Sequence, residues 1–257
     1  MSKLVFKQVM VKSSVDLSPS IIRLTLQGDE LKAFPTDCES GYIKLLFNEQ
    51  GSTDISDIPE GQRPVMRTYT IRRFDADNGE IDVDFVKHVT HDSHCGFAAR
   101  WAMNVRIGDC ISIAGPGLLD DMDTDSDWYF MAADMTSLPA LSVKISKLPS
   151  DARGYAIIKV ASEHDKQVLN APTGIQVDWI TENTKLADTV RTYPWLDGQA
   201  SVWCACEFDD MRGLRQYFRN ERQVERDNLY ISSYWKQGVT EDGHKVLKRQ
   251  DAEEQIA

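Results

Sequence analysis

Before about residue 120, apolar and polar positions alternate with the period of two that a pleated strand imposes. In EIDVDFV (80–86), Ile81, Val83 and Phe85 alternate with Asp82 and Asp84, which predicts a half-buried strand with the aspartates facing solvent. IIRLTLQ (21–27), GYIKLLF (41–47), RTYTIRRF (67–74) and DCISIAG (109–115) are similar runs, separated by turn signals such as Asn78-Gly79. Short strands with hairpin punctuation predict an antiparallel β-barrel over 1–120. An acidic linker, GPGLLDDMDTDSD (115–127), follows, and the pattern then changes. WYFMAAD (128–134) precedes the helical LPALSVKISKL (138–148), and GYAIIKVAS (154–162) and IQVDWIT (175–181) come next. SVWCACE (201–207) then precedes MRGLRQYFRNE (211–221). Strands alternating with helices predict a parallel α/β domain over 121–257, with a helical extension at its C-terminal end. Residues 51–64 and the chain after about 240 read as flexible, and no internal repeat is visible.

Length agrees with two domains, since 257 residues suffice for two modest cores. A net charge of -11 and a pI near 4.9 argue against nucleic acid as a partner, because such proteins carry a basic footprint. No run of about 18 apolar residues offers stable membrane insertion. The opening MSKLVFKQVMVKSS lacks the apolar core and cleavage site of a secretory signal. Five cysteines without disulfide-like spacing fit a reducing compartment, so a cytoplasmic protein is expected, acting as a monomer.

Candidate chemistry begins in RTYTIRRF. On a strand Arg67 and Tyr69 share one face while Thr70 and Arg72 share the other. A guanidinium fork suits phosphate and a phenol ring suits an aromatic partner, yet the same string alone describes a surface strand with cross-strand charge pairs. Further motifs lie downstream: DFVKH (84–88), GFAARWA (96–102), IGDCISIAGPG (107–117) and ADMTSLPAL (133–141). Trp203 with Glu207 and YISSYWKQGVTED (230–242) complete the set.

In this order the motifs resemble those of the siderophore-interacting protein family, FAD-containing NAD(P)H-dependent ferric-siderophore reductases, over nearly the whole chain. The resemblance implies a ferredoxin-reductase-like layout, with an FAD-binding barrel followed by an NAD(P)H-binding α/β domain. It implies cofactor contacts from Arg67, Tyr69, Thr70 and Arg72, from Val86 and His88, and from Gly96, Ala98, Ala99 and Trp101. In the second domain it implies cofactor contacts from Asp134, Thr136, Ser137, Glu207 and Trp235. Phe97 stands where the family favours proline, Ala99 lacks a hydroxyl, and KHVTHDSHC (87–95) is longer than the family's connection.

That connection holds His88, His91, His94 and Cys95, which resemble metal ligands. Structural zinc needs four ligands and no second pair is spaced to complete a site, so no metal is expected. Cys204 and Cys206 point to one strand face and read as buried thiols.

The second domain lacks G-x-G-x-x-G, but the turn from Asp134 to Pro139 lies at the carboxyl end of a predicted parallel strand, where such sheets bind ligands. An N-capping Thr or Ser without a ligand is the competing explanation. Arg212, Arg215, Arg219 and Arg222 form one helical stripe, which suits either solvent or the 2′-phosphate of NADPH at its N-terminal end.

The substrate implied by the resemblance is a ferric siderophore, reduced by electrons from NADPH or NADH, with ferredoxin left open as the source. No catalytic side chain is then required, because the flavin carries the redox chemistry. Lys245, Lys248 and Arg249 fall at i, i+3 and i+4, and are expected to attract an anionic chelate; a solvated tail is the alternative.

Overall fold

Alternation in the first part of the chain resolves into seven strands of one antiparallel sheet. They are β1 (Lys7–Ser18), β2 (Ile21–Gln27), β3 (Tyr42–Phe47), β4 (Val65–Thr70), β5 (Arg73–Asp75), β6 (Glu80–Val86) and β7 (Cys110–Gly117). Their hydrogen-bonded order is β4-β3-β7-β1-β2-β6-β5. The computed structural model describes residues 6–59, 61–88, 96–120, 122–181 and 183–254, and the chain divides into units 1–120 and 121–257.

The first sheet curls back on itself. Tyr69 of β4 lies ring to ring with Phe85 of β6, centroids 4.4 Å apart, and the Arg72 N–H donates to the Asp82 carbonyl at 2.8 Å. Strands at opposite sides of the sheet thereby meet, which removes the open edges of a flat sheet. Val11, Leu24, Leu45, Ile81, Val83 and Ile113 fill the interior, all essentially inaccessible. One helix, α1 (Phe97–Asn104), packs its buried Phe97, Ala98 and Ala102 on this core. It starts at Gly96, whose φ of 66° is a left-handed conformation that glycine adopts at low cost.

The aspartates of β6 depart from the sequence expectation. Asp82 and Asp84 are buried, not solvated. Arg23 of β2 holds Asp84 through Nε and Nη2 at 2.6 and 2.7 Å, and Arg73 of β5 holds Asp82 through Nε at 2.8 Å. Long cationic side chains from both neighbouring strands cover the carboxylates, so a two-residue period marks a polar face here without making it a wet one.

The second unit carries five parallel strands: β8 (Trp128–Asp134), β9 (Arg153–Val160), β10 (Gly174–Thr181), β11 (Ala200–Glu207) and β12 (Leu229–Trp235). The helices are α2 (Leu138–Ser146), α3 (Leu186–Val190), α4 (Phe208–Arg215) and α5 (Glu241–Glu254). Every residue of β8 is buried, as a central parallel strand covered on both faces requires. Gly154 of β9 has φ 137°, and a Cβ there would stand 1.9 Å from the Tyr129 carbonyl oxygen, so the approach of β9 to β8 demands glycine. The order β10-β9-β8-β11-β12 reverses direction between β8 and β11. In open α/β sheets the carboxyl ends of the strands at such a reversal are where ligands bind.

The tail expected to be flexible after about 240 is helical as α5. Its buried residues are His244 and Asp251. The arginine stripe is also interrupted, because α4 ends at Arg215 and continues as a π-helical turn over Gln216–Glu221. Among the described residues, no helix is long and apolar enough to cross a membrane.

Candidate functional site

In the first unit, β4 and α1 are brought to one corner by a chain of aromatic rings. Tyr69 meets Phe85; Phe85 meets Trp101 edge-on at 6.0 Å; Trp101 meets Phe47 at 6.5 Å; and Phe47 meets Phe97 at 6.1 Å. Arg67 is 9% exposed, donates from Nη1 to the Met66 carbonyl at 2.9 Å, and lies 5.5 Å from the Phe97 ring centroid. Arg67, Tyr69, Gly96 and Trp101, widely separated in sequence, therefore converge. Ala98 and Ala99 are buried as whole residues and pack α1 on the barrel core.

Thr70 is half-buried at the end of β4, opposite Tyr42 of β3. Arg72 sits beyond the strand among Arg23, Asp82, Asp84 and Glu39; burial and then the Arg23 charge lower its pKa. Its Nε is buried without a hydrogen-bond partner. His88 is exposed, its Nδ1 3.1 Å from the Val86 carbonyl oxygen. His91, His94 and Cys95 lie outside the described residues, and among the described residues no cluster of metal-ligating side chains occurs.

In the second unit, the turn after β8 and the ends of β11 and β12 assemble around one carboxylate. Asp134 is 6% exposed and accepts from Trp235 Nε1 at 2.7 Å, from the Thr136 N–H at 2.9 Å and from Thr136 Oγ1 at 2.6 Å. Desolvation raises its pKa, and the Thr136 hydroxyl, the Trp235 indole and the backbone N–H groups of Thr136 and Glu207 oppose the rise. Ser137 donates its hydroxyl to the Ala205 carbonyl, tying the turn to β11. Glu207 caps α4 through the Asp209 and Asp210 N–H groups and accepts from the Gln237 N–H at 3.1 Å. Trp235 keeps 39% of its surface exposed while its N–H is anchored, so the indole is a fixed platform open to a planar group. All five residues expected in this unit thus meet at the carboxyl ends of β8 and β11.

Cys204 and Cys206 are buried on the α3–α4 side, and burial raises both thiol pKa values, so neither is a reactive thiolate. Trp203 stacks on Tyr230 at 5.8 Å.

Each of the three basic residues of α5 has partners within its own unit. Lys248 turns toward β12, donating to Ser232 Oγ at 3.1 Å and the Ser233 carbonyl at 3.0 Å, and burial lowers its pKa. Lys245 pairs with Glu241 and Asp242, and Arg249 with Glu253. Beside Lys248, His244 shares a 2.8 Å hydrogen bond with Ser233, and burial then the Lys248 charge bring its pKa down to about 4. The arginine stripe is likewise used within the unit: Arg215 forks onto Asp251 at 2.6 and 2.7 Å, Arg212 approaches the same carboxylate, and Arg222 lies over Trp195 and Tyr217. Spacing along a helix places charges on one face, but the acids of α5 decide whether that face stays basic.

Arg100, which the motif reading passed over, lies 5.3 Å from the Phe97 centroid. Its spacing of three from Phe97 on a helix was the available signal.

An antiparallel barrel with an aromatic and arginine corner, followed by a five-stranded parallel sheet, is the two-unit architecture of the ferredoxin-reductase fold. Residues 10–120 match the siderophore-interacting FAD-binding domain and residues 126–238 match the siderophore-interacting protein model. The ferric vibriobactin reductase ViuB of Vibrio cholerae is 31% identical, with 89% of this chain and 88% of that protein covered. The solved siderophore-interacting protein SipS of Aeromonas hydrophila superposes with TM-score 0.77 at 31% identity, covering 90% of this chain and 98% of that one. A ferredoxin-NADP+ reductase of Plasmodium falciparum, 12% identical and covering 89% of this chain and 96% of that one, shares the fold at TM-score 0.62. This chain belongs to the siderophore-interacting protein family, and its first unit is an FAD-binding domain.

Proposed function

We propose that this chain is an FAD-dependent reductase that takes a hydride from NAD(P)H and passes the electrons singly to the Fe(III) of a ferric siderophore. Siderophores hold Fe(III) through hard oxygen donors, and Fe(II) binds such donors more weakly, so reduction releases the metal for intracellular iron assimilation. One hydride supplies two electrons and reduces two ferric ions, yielding NAD(P)+ and a proton. Bound FAD supplies the conversion between two-electron and one-electron chemistry.

The observation that carries this reading is the presence, on one chain, of the Arg67–Trp101 corner and the Asp134–Glu207–Trp235 cluster. Arg67 and Arg72 would meet flavin phosphates, and the orphaned Arg72 Nε is a donor that fits an anionic acceptor. Tyr69 and Thr70 would border the ring system. Thr136 and Glu207 would border the nicotinamide end of the donor, with Asp134 and the buried Ser137 holding the turn in place and Trp235 as a ring platform. Lys245 and Arg249, exposed on α5 and paired with Glu241, Asp242 and Glu253, would exchange those partners for an anionic chelate, whereas Lys248 is held by Ser232 and Ser233. Cytoplasmic residence follows from the reduced state its cysteines imply.

The test is the absorption spectrum of the purified protein, followed anaerobically as NADH, NADPH, reduced ferredoxin and a ferric siderophore are added in turn, with Fe(II) trapped by a coloured chelator. Flavin bands that bleach with a nicotinamide and return with the siderophore, with Fe(II) appearing, are expected. Protein without flavin that still binds siderophore would make it a carrier. Bleaching by ferredoxin alone would reassign the donor.

A further inference from the structure

We propose that Glu207 is the positioning residue of the Trp235 platform: it latches the end of β12 so that the indole stays turned toward the β8 turn. This deepens the reading of Trp235 as a ring platform and rests on it. Among the described residues β12 is the last strand of its sheet and pairs with β11 alone. That pairing runs in step up to Cys206 opposite Ser233, and then Glu207 stands opposite Trp235. Tyr234 is therefore an extra residue, a bulge of the kind that bends a strand and re-aims a side chain. In an unbroken strand Trp235 would share the face of Ser233, where Ser233 meets His244 of α5. The bulge breaks that alternation, and the indole reaches across the end of β11 to Asp134, donating from Nε1 at 2.7 Å.

A bulge on an edge strand has no outer strand to fix it, and here one side chain does so. Glu207 Oε1 accepts from the Gln237 N–H at 3.1 Å and lies 3.3 Å from Lys236 Nζ, so it holds the two residues that follow Trp235. Its Oε2 accepts from the Asp209 N–H at 2.5 Å, and the same carboxylate thereby caps α4. Its backbone N–H donates to Asp134, the acceptor of the Trp235 indole. One residue thus acts on Trp235 from two sides, through the chain that leaves it and through the carboxylate that anchors its ring. The Glu207 side chain is 13% exposed, so little water competes for these contacts. A helix cap by itself accounts for the α4 bonds and not for the Gln237 bond. A ring fixed before its ligand arrives spares a bound planar group the cost of ordering it.

Aspartate caps a helix well but is one methylene too short to hold α4 and Gln237 together, so Glu207→Asp separates the two roles. Glu207→Gln keeps the shape and turns an NH2 group toward one of the N–H donors. The readout that needs no turnover is Trp235 emission in the purified full-length chain at matched flavin content. It is taken as the difference between each variant and the same variant carrying Trp235→Phe. Both substitutions should red-shift that emission and raise its quenching by acrylamide, while Glu207→Asp keeps the unfolding midpoint of wild type. The rate at which a saturating nicotinamide donor bleaches the flavin should fall about tenfold in Glu207→Asp and in Trp235→Leu, with little further loss when the two are combined. Unmoved Trp235 emission and quenching in both Glu207 variants would overturn the proposal. A lowered midpoint without a change in emission would reduce Glu207 to a helix cap and overturn it equally. Wild-type bleaching in Trp235→Leu would overturn the platform reading instead, while the emission measurement judges the latch separately.

Discussion

Asp84 and Asp134 are both buried carboxylates on strands, one in each unit, and they are satisfied by opposite means. Asp84 receives a two-pronged guanidinium from Arg23, and its neighbour Asp82 receives Arg73 and the Thr25 hydroxyl. Asp134 receives an indole N–H, a hydroxyl and backbone N–H groups, all neutral, and its pKa is raised by burial. The first arrangement neutralises charge and joins β2, β5 and β6 into one wall of the barrel. The second rests on neutral donors alone at the carboxyl ends of β8 and β11, where the carboxyl orients Trp235. Paired burial offsets the charge of Asp84, whereas Asp134, held only by neutral donors, has its ionised form disfavoured by burial.

The largest effect expected from this contrast is on stability in the first unit. Asp84→Ala leaves the Arg23 guanidinium, three-quarters covered, without its partner, and should destabilise by roughly 3 kcal/mol in urea unfolding. A loss below about 1 kcal/mol would mean that water replaces the carboxylate and that the wall is not held by this pair.

Asp134→Asn should act differently, with a smaller effect on stability. The lost bonds are offset by removal of a desolvated charge, leaving the variant within about 1 kcal/mol of wild type at neutral pH. Trp235 should lose its acceptor, seen as a red shift in the emission difference against Trp235→Phe. The pH dependence has a definite sign. Because the folded pKa lies above the ordinary 3.8, the folded state holds its proton longer, and the Asp134 contribution to stability falls as pH rises from 3.8 through the folded value. Asp134→Asn should remove that decline. An unchanged acid limb would show that Asp134 does not titrate alone.

The smallest effect belongs to surface pairs. Lys245→Ala with Arg249→Ala should not change the unfolding midpoint resolvably, since exposed pairs on a helix contribute little. The apparent KM for an anionic ferric siderophore should rise at low ionic strength and return toward wild type at high salt. An unchanged KM at low salt would assign both charges to a solvated helix face.

What the residues alone determined is mostly local or repetitive. Period-two alternation carried the barrel strands, because each strand's faces differ in environment along its whole length. Continuous apolar runs such as WYFMAA carried the parallel strands, because both faces of β8 are covered. Motif order carried the family. Spacing places charges on a face but does not name their partners. Lys245, Lys248 and Arg249 share a helical face, but whether a charge on it meets solvent, a neighbouring acid or the Ser233 carbonyl depends on what packs there. Asp82 and Asp84 announced a polar face, and only the arrival of Arg23 and Arg73 from other strands made it a dry one. Phe97 gathered Arg67 and Arg100 through the curl of the sheet, which brings β4 beside α1. Electrostatics falls with distance in space and with burial, and neither quantity is written along the chain.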